Sequence, residues 1–88
     1  MNRRDRIAAA LNGGLRPSAL DVTDESHLHA GHAGARPGGE THYRIHVISE
    51  AFSGKSRVER HRMINALLAS EFESGLHALA IHAKAEGE

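Results

Sequence analysis

The amino-acid sequence predicts a single α+β domain in the order helix-strand-strand-helix-strand, its three-stranded sheet covered by helices on one face. Three observations lead there. Apolar residues recur at helical spacing between Val58 and Phe72, and segments 18–26, 41–50 and 77–84 alternate apolar with polar residues. A glycine-rich stretch separates the first two alternating segments.

The first helix is expected over 2–12. Asn2 suits the N-cap, Ile7, Ala8, Ala10 and Leu11 lie near helical spacing, Arg3, Arg4 and Arg6 are left to solvent, and Gly13-Gly14 supplies the stop. After Pro17 a strand is expected over 18–26, with Leu20 and Val22 on one face and Asp21 and Thr23 on the other. Segment 28–39 carries four glycines and a proline, a composition that resists both helix and ladder, so a loop is placed at about 27–40. Strand alternation resumes over 41–50, with Tyr43, Ile45 and Val47 on one face and His42, Arg44 and His46 on the other. Phe52-Ser53-Gly54-Lys55 reads as a turn, and Ser56-Arg57-Val58-Glu59 as a capping box. Behind the box, Val58, Ile64, Leu67, Leu68 and Phe72 form one apolar stripe that runs to about Glu73, with Gly75 as the stop. The last strand spans 77–84 with Leu79, Ile81 and Ala83 inward, and residues 85–88 form a frayed polar tail. An antiparallel hairpin followed by a helical crossover returns the last strand to the same sheet, leaving the opposite face partly solvated.

A chain of 88 residues is one small domain that buries roughly 60 to 65 per cent of its unfolded surface, so a large internal active-site cavity is not expected. Eleven Lys and Arg balance eleven Asp and Glu, which removes any global field for nucleic acid or anionic membrane and makes function a local matter. No apolar run approaches a membrane span, and no signal-like segment follows Met1-Asn2-Arg3-Arg4-Asp5, so a cytoplasmic protein with no membrane partner is expected. Cysteine is absent while histidine occurs eight times. Any iron-sulfur or structural zinc site must therefore use imidazole, carboxylate or a partner's sulfur.

Three of the histidines form His27-x-His29-x-x-His32 in the glycine-rich loop. By spacing alone they read first as a solvated polar loop, because ligation must offset the entropy of ordering it. His77 at the start of the last strand reads by spacing as a packed or hydrogen-bonded residue, its convergence with the loop being the alternative. His42, His46, His61 and His82 find sufficient reason in strand and helix positions. Lys55, Arg57, Arg60 and Arg62, with His61 among them, cluster around a helix N-terminus; such a run is more often simply the solvated face, but positive charge there opposes the macrodipole at about 0.3 to 1 kcal/mol for each charge, and phosphate or an acidic partner would suit it. No nucleophile elbow is present, and Gly54-Lys55-Ser56 lacks the preceding glycine of a phosphate-binding loop. No catalytic residue is assigned, and an enzyme is not expected.

Asp24-Glu25-Ser26, the His-bearing loop, Gly39-Glu40-Thr41-His42-Tyr43, Val47-Ile48-Ser49, Phe52-x-Gly54, Arg60-His61-Arg62 and Gly75-Leu76-His77-Ala78-Leu79 together closely resemble the BolA family, over about 7–83. The resemblance implies a fold similar to a type II KH domain. It also implies an adaptor that forms a heterodimer with a monothiol glutaredoxin and co-ligates a [2Fe-2S] cluster, in cluster trafficking or iron regulation. The family's C-terminal histidine ligand corresponds to His77. Its loop ligand corresponds to His32 if Gly31-His32-Ala33 is aligned, or to His29 if Asp24-Glu25-Ser26 is the anchor. The partner's cysteine and its bound glutathione would supply the remaining sulfurs, and alone the chain would be a monomer or weak homodimer without a cluster. The second class that the resemblance implies is DNA binding and transcription regulation through the KH-like surface and Lys55, Arg57, Arg60 and Arg62. A third class, read from the loop histidines themselves and ranked lowest, is a simple zinc or nickel buffer.

Overall fold

The computed structural model describes residues 2–26 and 40–88. The elements are α1 (Arg3–Leu15), β1 (Ala19–Asp24), β2 (His42–Ile48), α2 (Arg57–Leu67), α3 (Ala69–Ser74) and β3 (Ala78–Lys84), with a 3₁₀ turn at Glu50–Phe52. The sheet order is β1-β2-β3, with β1 antiparallel and β3 parallel to the central β2. This is the expected mixed fold with helices over one face.

The alternation determines which side chains meet. Val22 opposes Ile45, and Ile45 in turn opposes Ile81, while Tyr43 pairs with Leu79 and Val47 with Ala83. Ile7, Leu11 and Leu15 of α1 and Ile64 and Leu68 close over this face, and Phe52 and Leu76 belong to the same buried cluster. Burial of each large side chain here contributes roughly 1.5–3 kcal/mol.

Four expectations need correction. First, α1 runs through Gly13-Gly14 to Leu15 and ends at Arg16, whose backbone is left-handed. Leu15 continues the buried face, and Ser49 Oγ donates to its carbonyl at 2.6 Å. Gly14 serves close approach, since a Cβ there would lie 2.5 Å from Leu67 Cδ2. Second, the long helix breaks at Leu68 (φ −105°, ψ 14°). Beyond the break Glu71 is buried, while Phe72 and Val58 of the expected apolar stripe are exposed. Third, Arg3 is buried, because its guanidinium meets acceptors far along the chain. Nη1 donates to Glu71 Oε1 (2.9 Å) and Ser74 Oγ (2.9 Å), and Nε to the Glu40 carbonyl (2.7 Å). Fourth, the tail is tied down: Ala85 is buried, and Glu88 accepts two hydrogen bonds from Arg60, at 2.7 and 2.6 Å. The turn expected at Phe52-Ser53-Gly54-Lys55 forms, Lys55 N–H donating to the Phe52 carbonyl at 3.0 Å, and the Phe52 side chain is fully buried in the core.

Candidate functional site

Segment 27–39, with His27, His29 and His32, lies outside the described residues. The chain on either side of it is held closely. Ser26 makes one bond within its own neighbourhood, its N–H donating to Asp24 Oδ1 at 2.8 Å. Its hydroxyl oxygen accepts the N–H groups of Thr41 (2.9 Å) and His42 (3.1 Å). The two ends of the segment are thereby joined by one serine. Glu40 adopts a left-handed backbone at φ 63°, a conformation that is costly for a side chain with a Cβ. It is held there by Arg3, whose N–H donates to Glu40 Oε1 at 2.9 Å while Nε donates to the Glu40 carbonyl.

His77 joins the same junction through its backbone. The Thr41 carbonyl accepts from His77 N–H at 2.8 Å and from Ala78 N–H at 3.1 Å, which is where β3 begins to pair with β2. Thr41 Oγ1 lies 2.8 Å from His42 Nδ1, and the His42 and His77 rings are tilted against each other with centroids 5.3 Å apart. His42 is buried and His77 exposed. The strand-start imidazole is thus outward-facing on a fixed backbone, beside both ends of the histidine-rich segment. Ser26 and Thr41 stood in the sequence only as members of family-like motifs and Arg3 as a solvent-facing residue, with no role in the site, because their roles depend on partners across the loop or across the domain.

The basic residues at the start of α2 divide. Lys55, Arg57 and Arg62 are exposed, while Arg60 and His61 are half-buried. The capping box forms as expected, Ser56 Oγ accepting from Glu59 N–H at 3.1 Å and Glu59 Oε1 from Ser56 N–H at 2.8 Å. These bonds hold the Glu59 carboxyl below its ordinary value. Arg60 donates to the Lys55 and Ala83 carbonyls and lies over the Phe52 ring, and the Glu88 carboxylate raises its pKa through their hydrogen bonds. Arg60 is consequently committed to fastening the tail and α2 to β3, and it does not stand with its neighbours as an open contact. Lys55, Arg57, Arg60, His61, His82, Lys84 and Glu88 are among the residues lining a groove of about 450 Å³ along β3.

The open face of the sheet carries Arg44, which donates to Glu25 Oε2 at 3.0 Å and lies 2.8 Å from His82 Nε2 through Nη1. His46 and His82 stack beside it. Desolvation, followed by the charges of His46, Arg44, Arg57 and Lys84, lowers the His82 pKa from its ordinary 6.5. Among the described residues no group of three or more His, Cys, Asp or Glu side chains is arranged to hold a metal ion, and no helix is long and apolar enough to cross a membrane.

Comparison with known proteins matches residues 11–88 to the family described as BolA-like protein. The solved BolA domain of SufE1 from Arabidopsis thaliana is 48% identical, with a TM-score of 0.88 over 98% of this chain and 94% of that one. Arabidopsis BolA1 superposes with a TM-score of 0.89 at 36% identity, covering 100% and 96% of the two chains. In sequence, the Escherichia coli protein named DNA-binding transcriptional regulator BolA is 39% identical over 79 residues, covering 90% of this chain and 71% of that protein. The chain spans only 24% of the length of Arabidopsis SufE-like protein 1, to which it is 48% identical.

Proposed function

Because the chain belongs to the BolA family, we propose that it is an adaptor that pairs with a monothiol glutaredoxin and co-ligates a [2Fe-2S] cluster, acting in iron-sulfur cluster trafficking or iron regulation. The observation that supports this reading best is the junction at Thr41, whose carbonyl accepts the His77 N–H and whose own N–H is bonded to Ser26 at the other end of the histidine-bearing segment. His77 and either His29 or His32 are the proposed ligands, and an exposed imidazole on a fixed backbone fits that role. With no cysteine in the chain, thiolate must come from the partner and its glutathione. When bound, a cluster held partly by imidazole has a raised potential relative to all-thiolate ligation and an acid-sensitive attachment.

What this chain's own residues do is positional. Arg3 holds Glu40, Ser26 joins the two ends of the segment, and Thr41 fixes the backbone from which His77 points outward. No catalytic group is invoked. The protein would act in the cytoplasm as a monomer or weak homodimer that meets its partner transiently, although Arabidopsis relatives carry chloroplastic or mitochondrial names. The test is to mix the chain with a cluster-loaded monothiol glutaredoxin and follow visible circular dichroism. The wild type is expected to change the spectrum, His77→Ala to abolish the change, and His29→Ala against His32→Ala to identify the second ligand. An unaltered response from His77→Ala would overturn the ligand assignment.

A second reading, DNA binding, is favoured by the printed name of the E. coli relative and by the exposure of Lys55, Arg57 and Arg62 at the start of α2. It predicts an affinity that falls steeply with salt and is lost in Arg57→Glu/Arg62→Glu. Absence of binding at low salt disposes of it.

A further inference from the structure

The open face of the sheet brings together two more imidazoles that the adaptor reading leaves unused. His46 on β2 and His82 on β3 are direct register partners, and both are exposed. Their rings lie nearly parallel, 5° apart in orientation and 4.4 Å between centroids. We infer that His46 and His82 form a two-imidazole site for a first-row divalent transition-metal ion, Cu²⁺ foremost, with water completing the coordination.

The geometry is favourable because the backbone is already set. Neighbouring strands lie about 4.8 Å apart, so rotation of the side chains alone can bring one nitrogen of each ring to about 2.0 Å from a shared ion. Strand residues lose little further backbone entropy on ligation. The surroundings then select the ion. Arg44 Nη1 lies 2.8 Å from His82 Nε2, and Arg44 is itself matched by Glu25 at 3.0 Å, so the guanidinium can turn away and leave that nitrogen to a metal while keeping its carboxylate partner. Asp21 of β1 is the register partner of His46 on the other side. Arg57 of α2 and Lys84 of β3 add positive charge near His82. A weakly positive site with neutral nitrogen donors repels hard cations held mainly by charge and oxygen. It retains ions that gain most from imidazole, in the order that peaks at Cu²⁺.

The test uses the full chain carrying His27→Ala, His29→Ala and His32→Ala, which removes the other histidine trio. Cu²⁺ is titrated calorimetrically and the product examined by electron paramagnetic resonance. One equivalent should bind, with hyperfine splitting from two nitrogens. In that background His46→Ala or His82→Ala should each lower affinity more than about tenfold, since even the hydrogen-bond partners of a ligand are worth that much, and should leave one coupled nitrogen. Far-ultraviolet circular dichroism checks the fold, and His46→Gln gives the same readout should the alanine variant be perturbed. His77→Ala should leave the affinity unchanged, which separates this site from the proposed cluster ligand. Undiminished Cu²⁺ affinity in His46→Ala, loss of binding in His77→Ala instead, or equally strong binding of Mg²⁺ would each overturn the inference.

Discussion

On the covered side of β2, Tyr43, Ile45 and Val47 are 3%, 0% and 1% exposed, whereas on the open side of the same strand Arg44 is half-buried and His46 exposed. The two faces treat charge just as differently. Under the helices Arg3 and Glu71 form an ion pair with side chains about a tenth exposed, ringed by further hydrogen bonds; on the open face Arg44 meets Glu25 with 40% and 20% of the side chains exposed. One strand therefore serves a stabilising face and a chemically free one. Substitutions on the open side can alter what the protein binds at little cost to the fold, because water solvates those side chains in both folded and unfolded states.

The largest separation between the faces is expected from paired charge. Glu71→Ala leaves Arg3 buried without its carboxylate and should cost about 3–5 kcal/mol in urea unfolding; a loss below about 1 kcal/mol would mean that Arg3 escapes to solvent. Next comes Ile45→Ala at the centre of the covered face, expected to cost about 2–5 kcal/mol by the same measurement, through lost transfer energy and a cavity. Tyr43 sharpens the comparison through pH. Burial first, and then the charges of Asp24 and Glu40, push its pKa from 10.0 up to about 12. Between those values the unfolded chain has given up the phenolic proton while the folded chain retains it, so this group's contribution to stability falls as pH rises. Tyr43→Phe should remove roughly 1 kcal/mol of the loss between pH 10 and 11, read as the difference between the two proteins' unfolding curves. The smallest effect belongs to the open face: Arg44→Ala should change stability by no more than about 1 kcal/mol, since its partner is partly solvated. An Arg44→Ala cost matching that of Glu71→Ala would erase the distinction between the faces.

Much of the fold was legible because its signals are local. Ser56 and Glu59 stand three residues apart, and the box they form needs no distant partner. Ile45 and Val47 alternate with Arg44 and His46 whatever strand lies beside them. The errors fall where distant partners intervene. Gly13-Gly14 looks like a stop until Leu15 is seen packing into the core and Leu67 against Gly14. Val58 matches the apolar stripe yet is 57% exposed, because the layer beneath α2 is closed by Ile64 and Leu68. In the candidate site, His77 and the basic start of α2 were visible as residue types, whereas the sharing of one carbonyl by His77 and Ala78, and the commitment of Arg60 to Glu88, were not.

The sequence by itself determined the order of elements, the inward and outward sides of each strand, the α2 cap and the absence of any thiolate, since each depends on consecutive residues or on composition. Only the tertiary structure decided that Ser26, Thr41 and His77 meet, that Arg3 is buried, and that His46 faces His82. Those outcomes depend on the register of a parallel strand pair and on the hydrogen bonds that join α1 to α3 through Arg3, Glu71 and Ser74. Both are set by the summed burial and hydrogen bonding of residues far apart in the chain, which no local period encodes.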